Sequence, residues 1–131
     1  MKPFKITFKN SKEIWHGSPY NIADLIHTNY KNIKLETNND WQDKFSWSPN
    51  NEFLALVKWK IIEANPGFSI ILLNTKTGEM TESPRIRGCC ESINLDDDLF
   101  VTYEIFTLID EGNQKKKYGL KNDTMKITFK N

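Results

Sequence analysis

Apolar and polar residues alternate at both ends of the chain. Residues 4–9 (FKITFK) and 125–130 (MKITFK) place an apolar side chain at every second position. Period two is typical of a half-buried β-strand with one face in the core and one in water. The hexapeptide KITFKN occurs at 5–10 and again at 126–131, but six residues are too few for a structural repeat unit. We therefore predict two similar strands with lysine-lined outer faces, not a duplicated module.

Between the ends, apolar segments are separated by residues typical of tight turns. The turns are predicted at Ser48–Asn51, Asn65–Gly67, Thr75–Gly78 and Asp96–Asp98, where Pro, Gly, Asn and Asp supply the backbone conformations that turns require. Further strands are predicted at 31–37, at 52–63 and at 99–109. The pattern indicates about nine short strands joined by tight turns.

One segment has helical rather than strand spacing. Ser18-Pro19 is a favourable helix start, because a hydroxyl caps a free amide and proline suits the first helical position. Ile22, Leu25 and Ile26 then follow at helical spacing, which predicts a short helix near residues 19–27. The predicted fold is mainly β, α+β at the margin: a single domain over residues 1–131 with an antiparallel, blade-like sheet and one helix.

The segment 45–79 resembles a blade of a β-propeller of the WD-repeat or TolB-like kind. The matching stretches are WSPNN at 47–51, FLAL at 53–56, IILLN at 70–74 and TGE at 77–79, and INLDDDLFV at 93–101 repeats the first half of the pattern. The resemblance implies a four-stranded antiparallel blade. A closed propeller needs at least four blades, and this chain can supply three at most. A propeller-like scaffold subunit in a ring-shaped oligomer remains an alternative.

The composition is that of one globular domain able to bury its own core. Of 131 residues, 38% are hydrophobic and 27% charged, and the net charge is +1. There is no apolar run near the ~18 residues needed to cross a bilayer, and the first residues lack the pattern of a secretory signal. We expect a cytoplasmic protein without membrane contact, in which the adjacent Cys89 and Cys90 are reduced thiols.

The sequence offers few groups that could do chemistry, so we expect no enzyme, metal or cofactor. A Cys–His pair joining Cys89 or Cys90 to His16 is the one catalytic alternative. Thr75–Gly78 is too short for a phosphate-binding loop. Asp96–Asp98 lacks the glycine and terminal glutamate of a calcium loop, which favours an ordinary aspartate-rich turn.

Lysines could form a nucleic-acid-binding face. Lys115–Lys117 lie beside Tyr118, and if the terminal strands pair, their lysines share one face: Lys5, Lys9, Lys126 and Lys130. Basic residues interleaved with aromatics are typical of single-strand binders. However, the sequence pI of about 7.7 is below the range of dedicated binders. A nucleic-acid-binding module is therefore kept as the alternative to protein binding.

Acidic residues are concentrated late in the chain. Residues 91–111 contain seven carboxylates and no Lys or Arg, which would attract and orient a basic protein partner. Small, single-domain proteins that act only by contact include the immunity proteins of bacterial toxin systems, an analogy of class and not of motif. We therefore predict a non-enzymatic protein-binding protein that neutralises a toxin, possibly a basic nuclease. The predicted contact residues are Asp96, Asp97, Asp98, Glu104, Asp110, Glu111, Trp59 and Tyr103. The alternative interpretation is that the acids are solvated loop residues without a partner-binding role and that the aromatics belong to the core.

Overall fold

Two antiparallel sheets make up the fold in a computed structural model, which describes residues 2–31, 33–110 and 117–129. The larger sheet has the strand order β1-β2-β3-β4-β5-β6, with β7 also paired to β5, and the smaller has the order β10-β9-β8. The strands are β1 (Ile6–Glu13), β2 (Asn21–His27), β3 (Trp41–Trp47), β4 (Phe53–Trp59), β5 (Gly67–Asn74), β6 (Met80–Glu82), β7 (Ile86–Arg87), β8 (Cys89–Leu95), β9 (Phe100–Asp110) and β10 (Lys117–Lys126).

The β4–β5 hairpin is buried on both of its faces. Seven of the eight residues of β5 are buried, and the two strands pair without a break from Phe53–Asn74 to Trp59–Phe68. Their sequences, FLALVKW and GFSIILLN, are nearly continuous apolar runs instead of alternating ones. This composition is what a strand buried on both faces requires.

The smaller sheet covers one face of this hairpin. Ala55, Val57 and Ile70 pack there against Val101 and Ile105 of β9. Phe68 and Tyr103 meet edge to face across the interface, with ring centroids 6.2 Å apart. The second copy of KITFKN contributes its own apolar residues to the same core, through Ile127 and Phe129.

The opposite face is covered by the N-terminal part of the chain. Leu54, Leu56, Ile71 and Leu73 point there and contact a layer formed by Phe4, Leu25, Ile33, Leu35 and Trp41. Ile6 and Phe8, from the first copy of KITFKN, pack at the margin of this layer. The two copies of the hexapeptide therefore support two different cores.

Strands β3 and β8 lie side by side at the seam where the two sheets meet. The seam is bridged by side chains: the Gln42 Nε2 donates to the Cys90 carbonyl at 2.6 Å, and the Leu95 amide donates to the Ser46 Oγ at 3.0 Å. A bulge between Gln42 and Phe45 interrupts the pairing of β3 with β4 at this point. Gln42 is completely buried, so this polar bridge lies within the core.

The prediction of a helix near 19–27 was wrong, because this segment forms β2. Ala23 and Leu25 are fully buried. These two residues are spaced as on one face of a strand, so the buried positions of this segment have period two. The strand pairs with β1 from Ile6–His27 to Glu13–Asn21, with a register shift between Lys9 and Lys12. Ser18 does accept a local bond, from the Tyr20 amide at 3.0 Å, but it stabilises a turn into a strand. Tertiary pairing overrides a local preference for helix.

Other strand predictions need smaller corrections. The mainly antiparallel β fold is confirmed, with ten strands instead of about nine among the described residues, and β3–β6 form a consecutive antiparallel meander. Within 31–37, the described residues form no strand, although Ile33 and Leu35 are buried. The second hexapeptide lies mostly beyond β10, which ends at Lys126. Among the described residues no helix is present, hence none that could span a membrane.

The terminal strands do not pair with each other. The pairing on which the predicted shared lysine face depended is therefore absent among the described strands. Strand β1 pairs with β2 in the larger sheet, whereas β10 pairs with β9 in the smaller one. Lys126 lies over the ring of Phe100, 5.4 Å from its centroid. Lys115, Lys116 and Lys130 lie outside the described residues.

Gly88, in the connection from β7 to β8, packs closely against β9, and Gly17 is a second glycine with positive φ that has no such neighbours. Gly88 has φ +116°, and a Cβ there would lie 2.6 Å from both the Ile105 Cγ2 and the Phe106 carbonyl. Gly17 has φ +81° but nothing within 4 Å. We expect Gly88→Ala to lower the free energy of unfolding by about 3 kcal/mol, because backbone strain and overpacking add, and Gly17→Ala by about 1 kcal/mol. Urea denaturation of both variants measures the difference; equal losses would contradict the packing at Gly88.

Candidate protein-binding surface

The three aspartates predicted to contact a partner form the turn between β8 and β9. The Asp96 Oδ1 accepts from the Asp98 and Phe100 amides, both at 2.9 Å. The Asp97 Oδ1 accepts from the Asn50 amide at 2.8 Å, which joins this turn to the turn before β4. Asp97 and Asp98 are exposed. Asp96 and Asp97 therefore have structural roles in addition to any contact.

The remaining predicted acids are spread along β9 and do not gather with the turn. Glu104 is half-buried and lies opposite Ser92, midway along the strand. Asp110 ends β9, its side chain lies outside the described residues, and so does all of Glu111. At about 3.4 Å per residue, Asp110 is roughly 30 Å from Phe100 at the other end of the strand. The structure thus does not bring the predicted acids into one patch.

Trp59 and Tyr103, predicted as aromatic anchors, lie in the interior. Their exposures are 5% and 3%. The Trp59 Nε1 donates to the Asn21 carbonyl at 2.9 Å, and the Tyr103 hydroxyl donates to the Asp123 Oδ2 at 3.3 Å. Burial, with the charge of Asp123, raises the pKa of Tyr103 to about 12. Their contact with a partner stays a prediction, but neither side chain presents a surface for it in this conformation.

Large apolar side chains are exposed instead at the other end of the smaller sheet, around the β4–β5 connection. The exposures are 46% for Trp15, 45% for Ile61, 55% for Ile62 and 55% for Tyr118. Trp15 and Tyr118 line a cleft of about 400 Å³ together with residues 64–66, whereas Ile61 and Ile62 line a separate depression on the same hairpin. We call the first of these the hairpin cleft; it is lined by Trp15, Ala64, Asn65, Pro66, Arg87, Gly88, Cys89, Phe106, Thr107 and Tyr118.

Stacked aromatic rings form one part of the hairpin cleft. Phe106 and Tyr118 stack with their ring centroids 6.0 Å apart and their planes 17° from parallel. Tyr20 lies on Phe106 at 5.9 Å, and the Tyr20 hydroxyl donates to the Glu91 Oε2 at 2.5 Å. Because Tyr20 is itself buried, this arrangement anchors the exposed ring of Tyr118 to the interior. The aromatic part of the cleft is preformed.

The tip of the β4–β5 connection is a strained two-residue turn. Glu63 and Ala64 have φ of 49° and 64°, and the flanking residues bond reciprocally, Ile62 amide to Asn65 carbonyl at 3.1 Å and the reverse at 2.8 Å. This is the type I′ geometry that strongly favours Asn-Gly, since both central residues need positive φ. This chain has Glu-Ala at these two positions, so the backbone of the turn is strained. The strained turn lies next to the two exposed isoleucines.

Arg85 fixes the orientation of that tip by bonding to both arms of the hairpin. The Arg85 Nε donates to the Lys60 carbonyl at 2.7 Å, and Nη2 donates to the Asn65 carbonyl at 3.0 Å. Gly67 leaves the space for this guanidinium, since a Cβ there would lie 2.4 Å from the Arg85 Nε. The Lys60 ammonium is in turn paired with Glu82 at 3.0 Å. Ile61 and Ile62 are therefore presented to solvent on a braced element.

The two cysteines are buried and free. Burial, with the nearby charge of Glu91, raises the pKa of Cys89 to about 12, and burial raises that of Cys90 to about 12 as well. Cys89 lines the hairpin cleft, but His16 is not among the described lining residues. Within 2–31, 33–110 and 117–129, no group of three His, Cys, Asp or Glu side chains could hold a metal ion.

Sequence reasoning missed Trp15 and the isoleucine pair. Residues 52–63 were predicted as one continuous strand, which would have hidden Ile61 in a sheet. The signal for the correct reading was Asn65-Pro66-Gly67: a turn this close to Ile62 places the isoleucines at its approach. Nothing in the sequence indicated that Trp15 would lie against the same hairpin.

The comparisons with known proteins give no relative from which a function could be transferred. No protein-family model, no curated protein and no solved structure matches this chain.

Relieving the strain at the hairpin tip should stabilise the protein. We expect Glu63→Asn with Ala64→Gly to raise the free energy of unfolding by about 1–2 kcal/mol, since the left-handed conformation costs non-glycine residues that much. Ala23→Gly, in a strand with ordinary φ, is the control and should destabilise. Thermal denaturation measures both; a less stable tip variant would contradict the type I′ assignment.

The buried thiols should make stability fall in alkali. Unfolded thiols titrate near ~8.5, whereas Cys89 and Cys90 titrate near about 12 in the fold. Their contribution is complete below the unfolded pKa and is lost as pH rises toward the folded pKa, by about 1.4 kcal/mol per pH unit for each thiol. Urea unfolding from about pH 8.5 to about pH 10 measures the slope. The Cys89→Ala, Cys90→Ala double variant should show a shallower slope; an unchanged slope would contradict the assignment.

Proposed function

We propose that this protein acts by binding a protein partner, as an immunity protein that neutralises a bacterial toxin by covering its active or binding surface. The observation that carries the proposal is the pair of exposed aromatic side chains, Trp15 and Tyr118, that line the hairpin cleft together. Ile61 and Ile62 are exposed on the same hairpin, where they line a neighbouring depression. Exposed apolar side chains gathered in one place are typical of protein–protein contact sites.

The composition of the hairpin cleft supports contact with a protein. Binding energy at interfaces is concentrated in a few residues, mostly Trp, Tyr and Arg, in well-packed pockets. Trp15, Tyr118 and Arg87 line this cleft together. The ring of Tyr118 is stacked on Phe106 and the hairpin is braced by Arg85, so a partner would lose little conformational entropy in ordering them.

The acidic residues have a separate role in this proposal. Asp97 and Asp98 are exposed at the far end of the smaller sheet and Glu104 lies between them and the hairpin cleft. Carboxylates outside a contact surface raise the association rate of a basic partner without contributing much to its final affinity. In this proposal the hairpin cleft provides most of the affinity for the partner, and the acidic residues increase the rate at which the partner associates.

The experiment is a toxicity assay in which the product of the reading frame next to this gene is expressed with and without the chain. Growth should be rescued by the wild-type protein. Unchanged toxicity in the presence of folded protein would overturn the immunity proposal, whatever the variants show.

Variants then locate the contact. Trp15→Ala and Ile62→Ala should weaken binding to the purified partner by about 30-fold or more, as for interface anchors worth ~2 kcal/mol. Met80→Ala is the matched control and should have no effect, because Met80 is similarly exposed at 48% but pairs with Leu73, at the opposite end of β5 from the hairpin cleft. Asp98→Lys should lower the association rate and its salt dependence with little change in the dissociation rate. Equal effects of Trp15→Ala and Met80→Ala on affinity would remove the hairpin cleft from the proposal.

A further inference from the structure

Edge strands expose unpaired backbone groups, and the other edges of this fold are protected. Strand β1 has a shift in register between Lys9 and Lys12, with φ 56° at Asn10. At the other edge of the larger sheet, β6 has three residues and β7 two. Strand β8 lies against β3 at the seam. Bulges, short strands and covered edges are the usual devices against unwanted pairing.

Strand β10 is neither short, interrupted nor covered along most of its length, and its protection against other strands consists of charges, Lys121 and Asp123. It pairs with β9 without a break from Tyr118–Leu108 to Lys126–Phe100. No other strand in the described part of the chain pairs with its outer edge. Residues 120–124 are exposed throughout, including Lys121 and Asp123, which lie on the face of the sheet turned toward the core. Such a long, regular edge is a template for another strand.

The charges of β10 select one partner for that edge: a second copy of the same strand. In a twofold antiparallel pair centred on Asn122, residue Lys121 of each copy lies opposite Asp123 of the other. The register therefore forms two cross-strand ion pairs of opposite charge, the favourable arrangement for directly facing residues. Leu120 faces Thr124 on the outer face, and Asn122 faces its own counterpart on the axis.

Neighbouring registers are worse by the same rule. Directly opposed residues of an antiparallel pair have their side chains on the same face of the sheet, and side chains alternate between the faces along each strand. A twofold axis normal to the sheet leaves each face in place. The axis must therefore pass through a residue position and not between two residues. Centring the pair on Lys121 or on Asp123 puts identical charges opposite each other, which destabilises pairing. Centring it on Leu120 places Lys121 opposite Gly119 and shortens the overlap from residues 118–126 to residues 117–123. Asp123 already accepts from the Tyr103 hydroxyl within its own chain, and the Asn122-centred register adds Lys121 of the second copy as a partner of opposite charge.

We infer that the protein forms a symmetric dimer by pairing the outer edges of two β10 strands, antiparallel and centred on Asn122, so that two three-stranded sheets become one continuous sheet of six. The inference does not depend on the proposed function. It uses backbone hydrogen bonds for affinity and the Lys121–Asp123 pairs for specificity, and it closes the edge that the fold otherwise leaves open.

A charge-swap series tests the dimer. The wild-type chain should have a solution mass twice the 15.3 kDa of one copy. Lys121→Asp and Asp123→Lys should each shift the molecule toward the monomer, because each creates like-charge pairs. The double swap should restore the dimer, since opposite charges again face each other. Sedimentation equilibrium measures the masses, and circular dichroism checks that each variant is folded. A monomeric wild type, or a folded double swap that remains monomeric, would overturn the inference.

Cross-linking tests the register independently of those variants. Asn122→Cys places two thiols opposite each other on the axis, so mild oxidation should give a disulfide-linked dimer. Leu120→Cys is the matched control: it is on the same face, but its counterpart lies four residues away, roughly 13 Å along the strand. Cys89 and Cys90 are buried and should not react. Cross-linking at 120 in preference to 122 would overturn the Asn122-centred register even if the chain is dimeric.

Discussion

Burial of the β4–β5 hairpin on both faces is the constraint on which the rest of the structure depends. Two strands this apolar cannot leave either face in water, so the fold must supply two covers. The smaller sheet provides one, through residues such as Val101 and Ile105. The N-terminal strands and the segment around Leu35 provide the other. At the seam, Gln42 of β3 bonds to β8 and so joins the larger sheet to the smaller one within the core.

Much of the fold could be predicted because its turns have distinctive chemistry. Ser48–Asn51 and Asp96–Asp98 were placed correctly, since their side chains accept from nearby backbone amides and thereby define the turns. The segment 19–27 could not be assigned, because Ile22, Leu25 and Ile26 fit a helix while Ala23 and Leu25 fit a strand. Only the presence of β1 as a pairing partner favours the strand, and that partner is a tertiary fact.

The candidate site was less predictable than the fold for a related reason. Acids late in the chain were visible in the sequence, but their distance from one another along β9 depends on strand geometry. Trp59 and Tyr103 were selected as aromatic anchors by type alone, and both are buried. The residues that do reach the surface, Trp15 and Tyr118, come from distant parts of the chain. Their proximity follows from the sheet topology and not from any local pattern.

The repeated hexapeptide has a consequence for how the chain reaches its native state. Ile6 and Phe8 occupy one side of β4, while Ile127 and Phe129 occupy the other, so each end carries side chains that suit the groove of the other. On the ribosome the ambiguity is resolved by timing: the first copy emerges with β2 close behind it and pairs locally before the second is made. After dilution from denaturant both copies are present at once, and we expect them to compete for the same grooves. Vectorial synthesis thus supplies ordering information that the six residues themselves do not contain.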